Sequence, residues 1–169
     1  MNRQAVRGLI AILAISACGG GGEVAQEGRC AAAPDTLTIA STYSPELSVS
    51  LSRFECNASG LHWNVLAEGD GPSAANGDMV RVHYTGRLPD GTTFDTSIPR
   101  GEPYALVLGS GAVIRGWDLG LEGMHVGGRR ILVIPPHLGY GSRGMGGFIP
   151  PDATLVFEVE MVEVIKPGG

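Results

Sequence analysis

The strongest constraint on the fold is the alternation of apolar and polar residues over residues 154–165. Apolar side chains occupy every second position from Leu155 through Phe157 and Val159 to Met161, and Glu158 and Glu160 lie between them. Successive side chains of a β-strand point to opposite faces, so this run predicts a strand with one buried and one wet face. Such strands are typical of an antiparallel sheet.

Three more segments predict strands. One alternates with period 2 after turn residues, and two are short apolar runs bounded by Gly and Pro: residues 79–84, 104–108 and 130–134. Only one stretch has helical spacing, in which the apolar positions are Ile114, Trp117, Leu121 and Met124. Glycines among them limit it to about two turns, because each costs about 1 kcal/mol relative to Ala. The predicted class is α+β, an antiparallel β-sheet wrapped around one short α-helix.

Length and charge exclude several classes of protein. The 169 residues suit one domain, and 43% hydrophobic with 17% charged residues argues against disorder. The net charge of -5 leaves no basic surplus to neutralise phosphates. Nucleic acid is therefore not an expected partner.

The N-terminal residues are typical of an export signal. Arg3 and Arg7 precede an apolar run at residues 9–15, which is far too short to span a bilayer. Ser16, Ala17 and Cys18 follow, and this ending resembles the lipobox of bacterial lipoproteins, in which the Cys carries the lipid. We expect residues 1–17 to be a lipoprotein signal peptide, Cys18 to be lipidated, and the protein to be anchored in the bacterial cell envelope, facing the periplasm from the outer or inner membrane. The alternative is an ordinary secretory signal.

Residues 18–60 are predicted to be a tether and an irregular extension. Four glycines at 19–22 form a flexible start. Cys30 and Cys56 are the two cysteines left once Cys18 is assigned, and an exported location permits a disulfide between them. The alternatives are free thiols or an intermolecular bridge.

Two sequence features that could suggest a cofactor or metal site lack the surrounding sequence that such a site requires. Residues 139–144 match G-x-G-x-x-G, but Gly and Pro residues follow where a dinucleotide site needs a helix. The four histidines have no metal-ligand spacing. No metal and no cofactor are expected.

Five short motifs occur in order between residues 82 and 157. They are Val-His-Tyr-Thr-Gly at 82–86, Phe-Asp-Thr-Ser at 94–97, Val-Ile-Arg-Gly-Trp-Asp at 113–118, Gly-Tyr-Gly at 139–141 and Ile-Pro-Pro-Asp-Ala-Thr-Leu-Val-Phe at 149–157. This set resembles the FK506-binding-protein (FKBP) family of peptidyl-prolyl cis/trans isomerases. The resemblance covers about residues 60–165, implies the family's sheet wrapped across a short helix, and places the isomerase domain at 61–169.

The resemblance also implies an apolar pocket for a proline ring. Trp117 would form its floor, and the residues in contact with substrate would be Tyr84, Phe94, Tyr104, Val113, Ile114, Phe148, Ile149 and Phe157. The Tyr140 hydroxyl and the Ile114 backbone N–H would donate to a substrate carbonyl. Asp95 would stand near the twisting amide, with Arg100 as its partner. The catalytic set is thus Tyr140, Asp95, Phe94 and Trp117, although aromatic residues at alternating strand positions, Phe157 above all, are also explained as core.

The implied activity is cis/trans isomerisation of X-Pro bonds in exported proteins, without a covalent intermediate. Proline-containing polypeptides and FK506- or rapamycin-type ligands are the implied partners. The alternative is an FKBP-like proline-binding module with little turnover. Ala112, Met145 and Phe148 depart from the usual family residues, and the last two are expected on the loop over the pocket. No dimerising helix like that of some relatives is recognisable, so a monomer is expected.

Overall fold

The computed structural model describes residues 43–47 and 49–168. Within this part lie seven strands and one α-helix: β1 (Glu55–Cys56), β2 (His62–Ala67), β3 (Met79–Arg87), β4 (Thr93–Thr96), β5 (Tyr104–Val107), α1 (Arg115–Leu121), β6 (Arg129–Ile134) and β7 (Leu155–Ile165). Short 3-10 turns occupy Pro45–Leu47, Leu51–Arg53, Ile98–Arg100, Pro136–Leu138 and Gly141–Arg143. No helix in these ranges is both long and apolar enough to cross a membrane.

All strands join one antiparallel sheet in the order β1-β2-β6-β7-β3-β4, and β5 pairs with the first half of β3. The last and longest strand, β7, lies between β6 and β3. There Phe157 stands opposite Gly86 on one side and Leu132 on the other. The α+β class, the antiparallel pairing and the two-turn helix predicted from the sequence are confirmed.

The apolar row predicted on β7 forms the centre of the core. Leu155, Phe157, Val159 and Met161 are all buried. Helix α1 packs on the same face of the sheet through two glycines. A Cβ at Gly116 would lie 2.5 Å from Ile134, and one at Gly120 would lie 2.6 Å from Leu132. Only glycine therefore lets α1 approach β6 this closely.

The opposite face of the sheet was predicted to be exposed to solvent, but part of it is covered by an N-terminal segment. Leu47 and Phe54 pack there in a second apolar cluster with Ile131, Val133 and Val156. Because β1 also pairs with β2, the folded unit begins before residue 61, the predicted domain boundary. This corrects the expectation of an irregular extension up to residue 60.

Cys56 of β1 is disulfide-bonded. Cys30, its predicted partner, lies outside the described residues. The predicted signal peptide and the predicted lipid site at Cys18 also lie outside them.

Candidate active site

A cavity of about 380 Å³ opens beside the N-terminal end of α1. It is lined by residues from four strands, α1 and two loops: Tyr84, Phe94, Asp95, Tyr104, Ala112, Val113, Ile114, Trp117, Tyr140, Met145 and Phe157. Trp117 projects from the first turn of α1 and is only 4% exposed. The sheet and the helix thus bring together residues that are up to 73 positions apart along the chain, from Tyr84 to Phe157.

Aromatic rings in perpendicular contact give the cavity its shape. The Trp117 ring lies 5.0 Å from that of Tyr84 and 5.3 Å from that of Phe157, both edge-to-face. Phe94 contacts Phe157 in the same manner at 5.5 Å. Such pairs contribute about 0.5–1.5 kcal/mol each beyond the area they bury, so they favour one fixed arrangement of the walls.

The polar side of the cavity is a hydrogen-bonded trio. The Tyr84 hydroxyl donates to Asp95 Oδ2 at 2.5 Å, and Arg100 donates to the Tyr84 hydroxyl at 3.2 Å and to Asp95 Oδ1 at 3.4 Å. The backbone N–H of Thr96 also donates to Asp95 Oδ1 at 2.8 Å. Asp95 is therefore held by three donors and fixes the Tyr84 ring against Trp117.

Burial and the bond to Asp95 raise the pKa of Tyr84 to about 12. The pKa of Arg100 is raised in turn, first by its bond to Tyr84 and then by Asp95. The trio therefore keeps a neutral phenol and a charged guanidinium beside the cavity at neutral pH.

Tyr140 presents a second hydroxyl to the cavity. It precedes the turn Gly141–Arg143, and its hydroxyl makes no hydrogen bond to the part of the chain that the structure describes. Burial raises its pKa, and the negative charge of Asp95 raises it further. Tyr140 is thus a neutral donor that is available to a bound carbonyl.

Two predicted contact residues do not line the cavity. Ile149 is 2% exposed and belongs to the core, whereas Phe148 is 70% exposed. The reason is a tight turn in which Met145 and Ile149 exchange backbone hydrogen bonds, of 2.9 and 3.1 Å, and leave Phe148 at the tip. A role for either residue in substrate binding stays a prediction.

Ala112 and Met145 do line the cavity, although they were not among the predicted site residues. Both residues depart from the family pattern, and Met145 was predicted on the loop over the pocket. Their positions in the sequence, next to Val113 and in the loop after Tyr140, could have identified them as cavity residues.

Within the described residues, no three His, Cys, Asp or Glu side chains lie close enough to hold a metal ion.

Comparisons with known proteins agree with this geometry. Residues 71–162 match the family described as FKBP-type peptidyl-prolyl cis-trans isomerase. The chain is 63% identical over 94 residues to FK506-binding protein 2B of Rhizopus delemar, covering 55% of this chain and 44% of that protein. It is 54% identical over 101 residues to an FK506-binding protein of Neisseria meningitidis serogroup A, covering 60% of this chain and 93% of that protein.

A solved structure shares the fold as well. The crystal structure of FkpA from Escherichia coli superposes with a TM-score of 0.62 at 43% identity, and the match covers 67% of this chain and 52% of that one. The chain thus spans less than half of the fungal relative and nearly all of the Neisseria one. Since the family match extends over more than half of the chain, and the fold is shared with a solved FKBP structure, the protein belongs to the FKBP-type peptidyl-prolyl cis-trans isomerase family.

Proposed function

We propose that the cavity above Trp117 receives the prolyl ring of an X-Pro bond and is the catalytic site of this isomerase. The observation that carries the proposal is a cavity of about 380 Å³ lined mainly by aromatic and aliphatic side chains, with the Tyr140 hydroxyl, which makes no hydrogen bond to the described residues, among its lining groups. A pocket of this kind binds an apolar ring and leaves a polar group to orient the adjoining amide.

The chemistry needs no covalent step. Rotation about a peptide bond faces a barrier of about 18–20 kcal/mol, because planarity preserves the double-bond character of C–N. An acceleration of about 10³ to 10⁴ requires a reduction of about 4–5.5 kcal/mol in that barrier. One hydrogen bond from Tyr140 or from the Ile114 N–H supplies about 0.5–1.5 kcal/mol. The remainder has to come from another source.

Desolvation in the cavity is that source. A planar amide has more charge separation than a twisted one, so the planar form loses more when water is removed. The rings of Trp117, Tyr84 and Phe157 provide the water-poor surroundings. The site then binds the twisted amide more tightly than the planar one, which is the condition for catalysis.

The substrates are proline-containing segments of exported proteins, and the enzyme is held at the bacterial cell envelope by a lipid on Cys18. The sequence of residues 1–18 supports the anchor, and multiple acyl chains on one Cys are sufficient for stable membrane attachment. The similarity to FK506-binding proteins supports binding of FK506- or rapamycin-type ligands in the same cavity. The protein works as a monomer.

A cis/trans assay on X-Pro peptides tests the activity. The chain without residues 1–17 is expected to accelerate isomerisation, and an FK506-type ligand is expected to abolish the acceleration. Peptide binding without acceleration at micromolar protein would instead support the alternative, a proline-binding module.

Lipid labelling tests the anchor separately. Bacteria that express the full chain are grown with radiolabelled palmitate, and the label is expected on the wild type and not on Cys18→Ser. Equal labelling of both proteins would exclude Cys18 as the lipid site.

A further inference from the structure

Arg130 is a partly buried charge that the proposed chemistry does not use. It lies on β6, on the strand face that meets α1, and its guanidinium donates to the carbonyl of Gly120 at 2.7 Å and more weakly to that of Glu122 at 3.5 Å. Gly120 is next to last in α1 and Glu122 follows its end. The side chain therefore binds the C-terminal end of the helix.

The C-terminus of a helix is a favourable place for this charge. Its last carbonyls have no partner within the helix, and the helix dipole puts partial negative charge on them. Burial lowers the pKa of Arg130, and Glu55 and Glu68 partly offset this through their charges. The buried Nε has no hydrogen-bond acceptor in the described part of the chain. Among the described residues, the two carbonyls at the helix end are thus the hydrogen-bond acceptors of this cation.

Arg130, Leu132 and Ile134 form one row along β6, and each contacts a different level of α1. Ile134 packs on Gly116, Leu132 packs on Gly120, and Arg130 binds the end of the helix. The two glycine contacts set how close the helix lies to the sheet. They are van der Waals contacts without a preferred direction, whereas the hydrogen bond from Arg130 has a preferred geometry.

Trp117 follows Gly116 directly, so any displacement of α1 along its axis moves the indole by the same amount. The walls formed by Tyr84 and Phe157 belong to the sheet and would not follow. A shift of α1 would therefore change the shape of the cavity.

We propose that Arg130 is a positioning residue for the isomerase reaction: it holds the C-terminal carbonyls of α1 and so fixes the Trp117 ring against the aromatic walls. The inference rests on the proposed role of the cavity as the catalytic site. Arg130 does not line the cavity, so it affects the reaction only through the position of α1.

The test compares Arg130→Met with Arg129→Met, both made in a Trp63→Phe background in which Trp117 is the only tryptophan. Arg129 is the preceding residue of β6, is exposed, and pairs with Glu158 at the surface. Met keeps most of the length of the Arg side chain and removes the charge and the donors. Misplacement of a catalytic group by about 1 Å can cost 10²-fold, so we expect kcat/KM and the affinity for an FK506-type ligand to fall about tenfold in Arg130→Met. Arg129→Met is expected to match the background protein.

Acrylamide quenching of Trp117 fluorescence separates positioning from stability. It is measured well below the unfolding midpoint, where loss of stability alone leaves the indole environment unchanged. We expect stronger quenching in Arg130→Met, and a return toward the wild-type value in Arg130→Lys, whose ammonium retains a donor for the Gly120 carbonyl.

The proposal is overturned if Arg130→Met is folded and its kcat/KM and Trp117 quenching both equal those of Arg129→Met. If Arg130→Met does not fold, Arg130→Gln, which loses the charge and much of the length of the Arg side chain, is compared with Arg129→Gln in the same two measurements, and equality again overturns it. Should the unaltered protein show no turnover, the proposed function fails, while ligand affinity and Trp117 quenching still decide on Arg130.

Discussion

The hydroxyl of Tyr84 and the carboxylate of Asp95 are joined by a 2.5 Å hydrogen bond across the edge of the cavity. Asp95 thereby fixes a ring that packs on Trp117. Asp95→Val removes the acceptor and is expected to lower kcat/KM about tenfold or more, since hydrogen bonds to charged groups contribute about 1.5–3 kcal/mol. With a pKa of about 12, Tyr84 stays protonated in ordinary assays, so the loss should be the same at about pH 6 and pH 9.

The control for Asp95→Val is Asp70→Val, a change at an exposed acid outside the cavity. A double-mutant cycle of Asp95→Val with Tyr84→Phe is expected to be non-additive, because both remove the same bond. Additive losses would contradict the coupling of the two residues.

Tyr140→Phe removes only the unengaged hydroxyl. The expected decrease in kcat/KM is about 2- to 12-fold, which corresponds to one hydrogen bond of about 0.5–1.5 kcal/mol. Steady-state assays on an X-Pro peptide measure it, with Tyr43→Phe on the outer face of the sheet as the matched control. Unchanged turnover in Tyr140→Phe would remove this hydroxyl from the mechanism.

Gly86 leaves room for two of the aromatic walls. A Cβ there would lie 2.7 Å from both the Phe157 and the Phe94 rings, so Gly86→Ala is expected to displace them and to lower the free energy of unfolding by about 1–3 kcal/mol. Urea unfolding measures the loss. Adding Phe94→Leu, which shortens one wall, should recover part of it, and a further loss in the double variant would contradict the steric cause.

Phe54 belongs to the segment that covers the outer face of the sheet. It is buried, so Phe54→Ala is expected to lower the free energy of unfolding by about 3–5 kcal/mol. Arg53→Ala at the exposed neighbouring position should change it by less than about 0.5 kcal/mol. Equal stability of these two variants in urea unfolding would mean that residues 43–56 are dispensable for the fold.

Asp78 accepts a hydrogen bond of 2.7 Å from Lys166 and another of 2.7 Å from the Ala75 N–H. The bond to Lys166 is the main cause that lowers the pKa of Asp78 below its ordinary value. A lowered pKa in the folded state stabilises the protein above the unfolded-state pKa of about 3.9, and this contribution is lost as the pH falls through the folded value. Asp78→Asn should therefore flatten the decline in stability below about pH 4, as measured by urea unfolding over that range.

The elements that were predicted from the sequence are those whose apolar residues recur at one period throughout. The central strand β7 and the helix around Trp117 each carry apolar residues at a single period over several positions. β2 was missed because its first four residues are all partly exposed and polar residues interrupt the apolar ones, and β4 has only four residues. In such strands, pairing with neighbouring strands determines the conformation, and the strand's own sequence has no clear alternation that would predict it.

The cavity residues that belong to the ordered motifs were predicted from the sequence. The placement of residues between the motifs was not. Met145 enters the cavity and Phe148 leaves it because of a turn closed by backbone hydrogen bonds, which side-chain identities do not reveal. The second layer over Val156 was missed for a related reason. Residues 43–47 and 49–54 pack there through 3-10 turns, which have no periodic sequence pattern.

The central position of β7 has a consequence for biosynthesis. Among the described strands it is synthesised last, yet it lies between β6 and β3 and supplies Phe157 to the cavity. A nascent chain that stops before residue 155 therefore has two half-sheets and no finished pocket. Under the proposed function, a newly made molecule acquires its ligand site only when β7 is inserted, so capture of an FK506-type ligand would report the completion of folding.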